Sequence, residues 1–222
     1  MTIADRDAAS RNPPASAPPV PRRALLLLVL LIGVVGAGVY LLLRPHLQFT
    51  NALAAPVRVA INDAAPRTVA PGGTVRLPVA RGRTLVVQWE LVRPLSANDT
   101  PMGEAMRGST VLRDPSGTVR ATAASRTADG AYFAPLVTNA SNRLLRVTVN
   151  AGLQGAVDCG CAVRSGAQRV FIGYYRLYQN STVSAWTRGV GTATFRDLGP
   201  QVTRGDGTVG LRFEDKDLRP GG

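Results

Sequence analysis

The chain contains 222 residues, of which 26 are basic and 14 acidic, giving a formal net charge of +12. This length accommodates one domain with appendages or two small domains. The 23 glycines and 16 prolines predict many turns and argue against a helical bundle. Because His46 is the single histidine, Ser-His-Asp or Cys-His catalysis and His-ligated metal or haem sites are hard to build. We therefore predict that the protein is not an enzyme and has no resident cofactor.

Arginine supplies almost all of the positive charge, since Lys216 is the only lysine. A guanidinium group pairs with both oxygens of a carboxylate and stacks on aromatic rings, so it suits protein interfaces better than a lysine ammonium does. A surface with this excess favours acidic proteins or anionic headgroups as partners. The accompanying abundance of alanine, glycine and proline indicates a bacterial composition.

The N-terminal part of the chain predicts a tail followed by a membrane anchor. Residues 1–21 are rich in proline and alanine and lack apolar bulk, which predicts a cytoplasmic tail without its own fold. Residues 24–43 are uncharged and, as a helix, would span roughly 30 Å, the hydrocarbon thickness of a bilayer. We predict a transmembrane helix over 22–44. Because Arg22 and Arg23 directly precede the uncharged block 24–43, the N-terminus is expected in the cytoplasm and the remainder in the periplasm, in a single-pass inner-membrane protein.

Small residues inside this segment suggest contact with another helix. Gly33 and Ala37 lie four residues apart, a spacing that lets helix backbones approach closely in lipid. We predict that these two residues pack against helices of other membrane-protein subunits.

Beyond a linker over 45–55, the sequence predicts a mainly β domain over 56–217 and a C-terminal tail over 218–222. Apolar residues alternate with polar ones in 57–61, 75–79, 84–92, 145–149 and 208–213, with further candidate strands in 170–175 and 192–195. Alternation predicts strands with one wet face, and the turn residues between them favour an antiparallel β-sandwich. No internal repeat is apparent. The fold class is therefore an N-terminal transmembrane helix followed by an antiparallel β-sandwich.

Two stretches interrupt the strand pattern and are candidates for an interface. Residues 93–108 form a long connection without strand periodicity, and loops of this length are usually functional or disordered. Residues 171–186 concentrate aromatic side chains, which fit either the core or a binding surface enriched in Tyr, Trp and Arg. The predicted interface residues are Tyr174, Tyr175, Arg176, Tyr178, Trp186, Met102 and Met106.

The motif Cys159-Gly160-Cys161 offers several readings. Outside the cytoplasm, a close cysteine pair usually indicates a disulfide, although the spacing demands specific geometry. Free thiols, or a bond to a partner chain, are alternatives. A copper site is a further one, because soft thiolates suit Cu(I), with Met102 and Met106 as thioether ligands.

This layout resembles the small single-pass accessory subunits of bacterial bioenergetic membrane complexes, of the photosynthetic reaction centre–antenna or respiratory type. The resemblance implies a non-enzymatic structural subunit that stabilises a larger complex through its helix and its periplasmic domain. The partners would be other membrane-protein subunits, the lipid bilayer and acidic periplasmic protein surfaces, with no nucleic acid.

The alternative function is a periplasmic copper-handling or oxidase assembly factor using Cys159 and Cys161. Such factors carry a Cys-Phe-Cys-Phe motif, whereas Gly160 and Ala162 stand in place of its aromatic residues here.

Overall fold

The computed structural model describes residues 22–42, 45–80, 82–113, 118–153 and 156–220, with side chains described from residue 25 to 40 in the first of these ranges. The predicted cytoplasmic tail over 1–21 and the last two residues of the predicted C-terminal tail lie outside the described residues. The chain divides into two units, 1–43 and 44–222, which are described separately below.

The first unit contains the α-helix α1 (Arg22–Leu42). Its large apolar side chains between Leu25 and Tyr40 are exposed. Among the described residues, no helix has the apolar length needed to cross a membrane. The prediction of a transmembrane helix is therefore wrong, and so are the single-pass topology and the inner-membrane localisation built on it.

The second unit begins with seven strands that form two sheets around one apolar core, here called the first sandwich. One sheet has the order β4-β1-β7 and the other β3-β2-β5-β6, and inward residues of both build the core. The strands are β1 (His46–Asn51), β2 (Val57–Ile61), β3 (Arg67–Val69), β4 (Thr74–Pro78), β5 (Leu85–Leu91), β6 (Arg107–Leu112) and β7 (Thr118–Ala123).

The remaining strands form a second sandwich with its own core. One sheet has the order β11-β10-β14-β15, while the other is centred on β9, which pairs with β12, β13, β8 and β16. The strands are β8 (Arg126–Thr127), β9 (Gly130–Asn139), β10 (Leu145–Val149), β11 (Val157–Val163), β12 (Val170–Phe171), β13 (Tyr175–Arg176), β14 (Ser181–Thr187), β15 (Gly191–Leu198) and β16 (Thr208–Phe213).

These sheets confirm that the fold is mainly β, but they are not purely antiparallel. Strand β1 pairs with β7 in parallel, and β9 pairs with β16 in parallel. In each sandwich, an early strand of that sandwich, β1 or β9, therefore lies beside its last strand, β7 or β16. Alternation in the sequence predicts which face of a strand is buried, but it carries no information about the direction of its neighbour.

The two sandwiches repeat the same register, which indicates an internal duplication. In the first, His46 is paired with Thr118 and the pairing continues for six residues; in the second, Ala134 is paired with Thr208 and continues for six residues. The expectation of no internal repeat is thus wrong. The sequence signal is short: Phe49-Thr50-Asn51-Ala52 corresponds to Val137-Thr138-Asn139-Ala140.

Buried asparagines occupy the same joints in both sandwiches. The Asn51 amide nitrogen donates to the carbonyls of Ala55 and Val69 at 2.9 and 3.1 Å. The Asn139 amide nitrogen donates to those of Arg143 and Val163 at 2.7 and 2.8 Å. Each side chain therefore fixes the turn after its strand and ties it to a neighbouring segment.

A second pair of asparagines marks the turns after β2 and β10. Asn62 and Asn150 both have positive φ, 50° and 56°. The side-chain oxygen of Asn62 accepts a hydrogen bond from Val86 N–H at 2.8 Å, and the side-chain oxygen of Asn150 accepts one from Thr182 N–H at 3.3 Å. Asparagine tolerates this left-handed conformation better than most residues, so the residue type follows from the turn.

The long connection over 93–108, whose last two residues belong to β6, is bonded to the second sandwich. Its Glu104 N–H donates to the Tyr174 carbonyl at 2.7 Å, and the Glu104 carboxylate accepts from Arg176 N–H at 2.9 Å. The Tyr174 hydroxyl accepts from Ala54 N–H at 2.8 Å and donates to the Asp206 carbonyl at 2.6 Å. One tyrosine thus bonds to loops of both sandwiches.

We expect the free energy of unfolding to fall as pH rises from about 10 to 12. Burial raises the pKa of Tyr174 from 10.0 to about 12, despite the opposing hydrogen bond from Ala54. Because the folded-state pKa is raised, this stabilisation is complete below pH 10 and is lost towards pH 12. A rise of this size corresponds to at most roughly 2–3 kcal/mol.

Urea denaturation of Tyr174→Phe and wild type at pH 8 and pH 11 measures this contribution. The variant should be less stable than wild type at pH 8, with a gap that narrows at pH 11. Tyr178→Phe is the control, because its ring is only partly buried and its hydroxyl bonds to no other described residue. A gap for Tyr174→Phe that stays constant with pH would contradict the assignment.

Candidate protein-binding face

The outward face of the sheet β11-β10-β14-β15 carries a row of paired residues centred on Arg146. Arg146 lies opposite Ala162 on one side and Trp186 on the other, and Trp186 lies opposite Thr192. The next row consists of Asp158, Thr148, Ser184 and Thr194. Strand alternation turns these side chains away from the core, although Ser184 is itself buried, while Val147, Val183 and Ala185 fill the core.

The Arg146 guanidinium lies over the Trp186 indole, with 5.7 Å between its central carbon and the ring centroid. A cation within about 6 Å of an indole face is attracted by the ring quadrupole. The stacking also holds the long arginine side chain in place, so less rotamer freedom is lost when a ligand binds. The charge of Arg146 is not neutralised, because no carboxylate within the described chain forms an ion pair with it.

A groove of about 420 Å³ opens beside Trp186. Its walls are the β14–β15 hairpin, which carries the exposed Arg188, and Pro220 of the C-terminal segment. That segment is held by Thr192, whose N–H donates to the Arg219 carbonyl at 2.8 Å. Gly191 permits this approach: its φ is 152°, and a Cβ atom there would collide with the Arg219 carbonyl.

In the first sandwich, the arginine equivalent to Arg146 has its charge neutralised by a carboxylate. Arg58 corresponds to Arg146, each four residues before the asparagine of the turn, and Glu90 corresponds to Trp186, each four residues after the strand residue bonded to that asparagine. The Arg58 guanidinium pairs with the Glu90 carboxylate at 3.4 Å. Duplication has therefore retained the arginine, while its partner differs: a carboxylate in one copy and an indole in the other.

The predicted interface residues are divided between core and surface. Tyr174 and Tyr175 are fully buried, and Met102 and Met106 are also buried. Arg176, Tyr178 and Trp186 are partly exposed, and the Arg176 guanidinium lies 5.7 Å from the Tyr132 ring centroid. The structure does not bring these seven residues together on one surface.

Sequence reasoning missed Arg146, the partner of Trp186. A signal was present, since Arg-Val at 58–59 recurs as Arg-Val at 146–147 with asparagine following at the same distance. Gly33 and Ala37, predicted to pack against another helix, are exposed, and a Cβ added to Gly33 would meet no atom within 4 Å. Their proposed packing role stays a prediction.

The cysteine pair lies in β11, an edge strand of the same sheet. Cys159 and Cys161 are joined by a disulfide, with their Cα atoms 5.1 Å apart. Both side chains are buried in the second core, and the strand pairing shifts here so that Cys159, Gly160 and Cys161 together face Val147. The bridge thus closes a bulge in the strand.

This arrangement bears on the copper alternative. Copper binding through thiolates would require the disulfide to be reduced. Met102 packs in the same core as the cysteines, whereas Met106 packs in the core of the first sandwich. Over the described ranges, His, Cys, Asp and Glu form no group of three or more suited to a metal ion. A copper role for these residues stays a prediction.

Comparison with known proteins does not assign the chain to a family: no protein-family model and no curated protein matches its sequence significantly.

Proposed function

We propose that this protein is a non-enzymatic accessory subunit that binds an acidic surface of another protein through the outward face of β11-β10-β14-β15. The Arg146–Trp186 stack carries the proposal. Tryptophan and arginine are the residue types most enriched at the energetic centres of protein interfaces, and both are accessible here. The flanking Arg188 and Arg219 are also exposed, which favours a partner with carboxylates.

The comparison with the first sandwich supports the same choice of face. At the corresponding position Arg58 is already paired with Glu90, so binding a partner carboxylate there would require breaking an existing ion pair. Arg146 can donate hydrogen bonds to a carboxylate while remaining stacked on Trp186. The resemblance to photosynthetic or respiratory subunits depended on a transmembrane helix, so it no longer supports a particular complex.

We expect Trp186→Ala to weaken binding to the native partner by at least about 2 kcal/mol, the cost typical of a central aromatic residue. Tagged full-length wild type and variant are purified under mild conditions from the source cells, and co-purifying proteins are quantified by mass spectrometry. The Kd of the protein lost from the variant is then measured with purified components. Arg146→Ala should produce a loss in the same direction.

Arg58→Ala is the matched control, because it removes an arginine from the corresponding position of the other sandwich. It should leave the Kd unchanged within a factor of about three, as is usual for an exposed ion pair. If Arg58→Ala weakened binding as much as Arg146→Ala, net charge rather than this face would explain the interaction. The proposal would also be contradicted if the purified full-length wild type bound no other protein.

A further inference from the structure

The outward face of the sheet β4-β1-β7 is mostly polar and carries two arginines. Its central row is Arg76, Gln48 and Arg120, which lie directly opposite one another on adjacent strands. The rows on either side are Thr74, Thr50 and Thr122, and Pro78, His46 and Thr118. None of these nine positions is acidic, and none is Phe, Tyr, Trp, Leu, Ile, Val or Met.

The two arginines on this face are not neutralised by the described part of the chain. Arg76 and Arg120 are exposed, and neither forms an ion pair or a side-chain hydrogen bond with another described residue. Because neighbouring strands lie about 4.8 Å apart, their backbones are separated by roughly 10 Å. Gln48 lies between them, so two charges and one amide form a continuous line across the strands.

The duplicated sheet shows that the fold does not require these charges. The row that corresponds in register to Arg76, Gln48 and Arg120 consists of Phe171, Leu136 and Gly210. The same strand pairing is therefore built there without any charged side chain. The cationic row needs an explanation other than sheet stability.

The chemistry of the face selects among anionic partners. A guanidinium binds a carboxylate with two parallel hydrogen bonds, and the threonine hydroxyls and the Gln48 amide both donate and accept. Protein interfaces usually centre on an aromatic or aliphatic anchor, and single-stranded nucleic acid needs rings on which bases stack. Duplex nucleic acid is bound through many phosphate contacts. A face with two cations and several hydroxyls matches none of these three.

We propose that the β4-β1-β7 face binds a polysaccharide that carries carboxylates, with Arg76 and Arg120 each engaging one uronate carboxylate. The sugar hydroxyls between these carboxylates bond to Gln48 and the adjacent threonines. This site lies on a different sandwich from the proposed protein-binding face and does not depend on it.

The test uses the full chain and oligogalacturonate as the probe. Isothermal titration at low and moderate salt should show binding that weakens with salt, whereas the fully methyl-esterified oligosaccharide, which lacks the charges, should not bind. The variant R76A/R120A should weaken binding at least about tenfold, because two charge-assisted contacts are lost. The double variant R67A/R126A removes two exposed arginines elsewhere and should bind as wild type does.

Three results would overturn the proposal. The wild type does not bind oligogalacturonate, R76A/R120A binds it as tightly as the wild type does, or R67A/R126A weakens binding as much as R76A/R120A does. Polyglutamate or duplex DNA that competes as strongly as the oligosaccharide would identify a different class of partner. Circular dichroism and the thermal midpoint of each variant exclude unfolding as the cause of any loss.

Discussion

Replacing Gly173 with alanine is expected to reduce the free energy of unfolding by more than about 3 kcal/mol. Gly173 has φ 107°, and a Cβ atom there would lie 2.8 Å from both the Cα and the N of Gly103. Gly103 itself has φ 77°, and its Cβ would lie 2.8 Å from the Tyr174 carbonyl. Backbone meets backbone at this point, so a side-chain rotation cannot relieve the overlap.

The damage should extend beyond the two glycines because the segments they join link the sandwiches. Separating them would lengthen the hydrogen bond from Glu104 N–H to the Tyr174 carbonyl, now 2.7 Å. It would also disturb the Tyr174 hydroxyl, which bonds to Ala54 and Asp206. Gly103→Ala should therefore produce a loss comparable to that of Gly173→Ala.

Urea denaturation followed by tryptophan fluorescence measures both variants. Gly72→Ala is the matched control: its φ is 68°, but a Cβ there would meet nothing within 4 Å. It tests the cost of a positive φ alone, which is about 1–2 kcal/mol for a residue with a Cβ atom. Should Gly173→Ala cost no more than Gly72→Ala, the close backbone contact would not contribute to stability.

The sequence predicts some of the individual strands, because their signal is local, but it misses β1, β7, β9, β11 and β14, and β1 lies within the predicted linker over 45–55. Alternation over 57–61, 145–149 and 208–213 coincides with β2, β10 and β16, and 84–92 contains β5. In each case one row of apolar side chains enters a core and the other faces outward. Burying every second side chain leaves this trace within a handful of residues.

The contacts between distant segments could not be predicted in the same way. Gly103 and Gly173 meet although seventy residues separate them, and nothing in the residues 93–108 indicates that this connection is docked. The buried Tyr174 and the partly exposed Trp186 are both aromatic, and the two-residue strands β12 and β13 are too short to show which face a side chain occupies. The uncharged block of α1 led to a membrane assignment that the described residues do not support.

Asn51→Ala and Asn139→Ala are each expected to cost about 3–5 kcal/mol in unfolding free energy. Both side chains are fully buried. Truncating Asn51 removes the donor to the Ala55 and Val69 carbonyls and the acceptor for Leu53 N–H, which is 3.0 Å away. Each buried group left without a partner costs about 1–3 kcal/mol.

Asn139→Ala removes three corresponding bonds in the second sandwich; Asn51 has a fourth bond to the Ala70 carbonyl, and Asn139 has a fourth from the Ser141 hydroxyl. Its amide nitrogen donates to Arg143 and Val163, and its side-chain oxygen accepts from the Ser141 N–H and hydroxyl at 3.0 and 2.6 Å. Urea denaturation of both variants, with the exposed Asn180→Ala as control, compares the joints directly. A loss below 1 kcal/mol at either site would show that water replaces the amide there.

The relative size of the two losses tests the duplication itself. If the asparagines are equivalent parts of a repeated unit, their removal should destabilise the chain to a similar degree, because the turn, the strand and the neighbouring carbonyls correspond in both copies.

The exposed residues of the two sandwiches, in contrast, differ at equivalent positions. Arg58 with Glu90 and Arg146 with Trp186 occupy equivalent positions but differ in charge balance, as do the rows containing Gln48 and Leu136. Retained joints and diverged faces together indicate that the sandwiches share a scaffold whose exposed faces differ in chemistry.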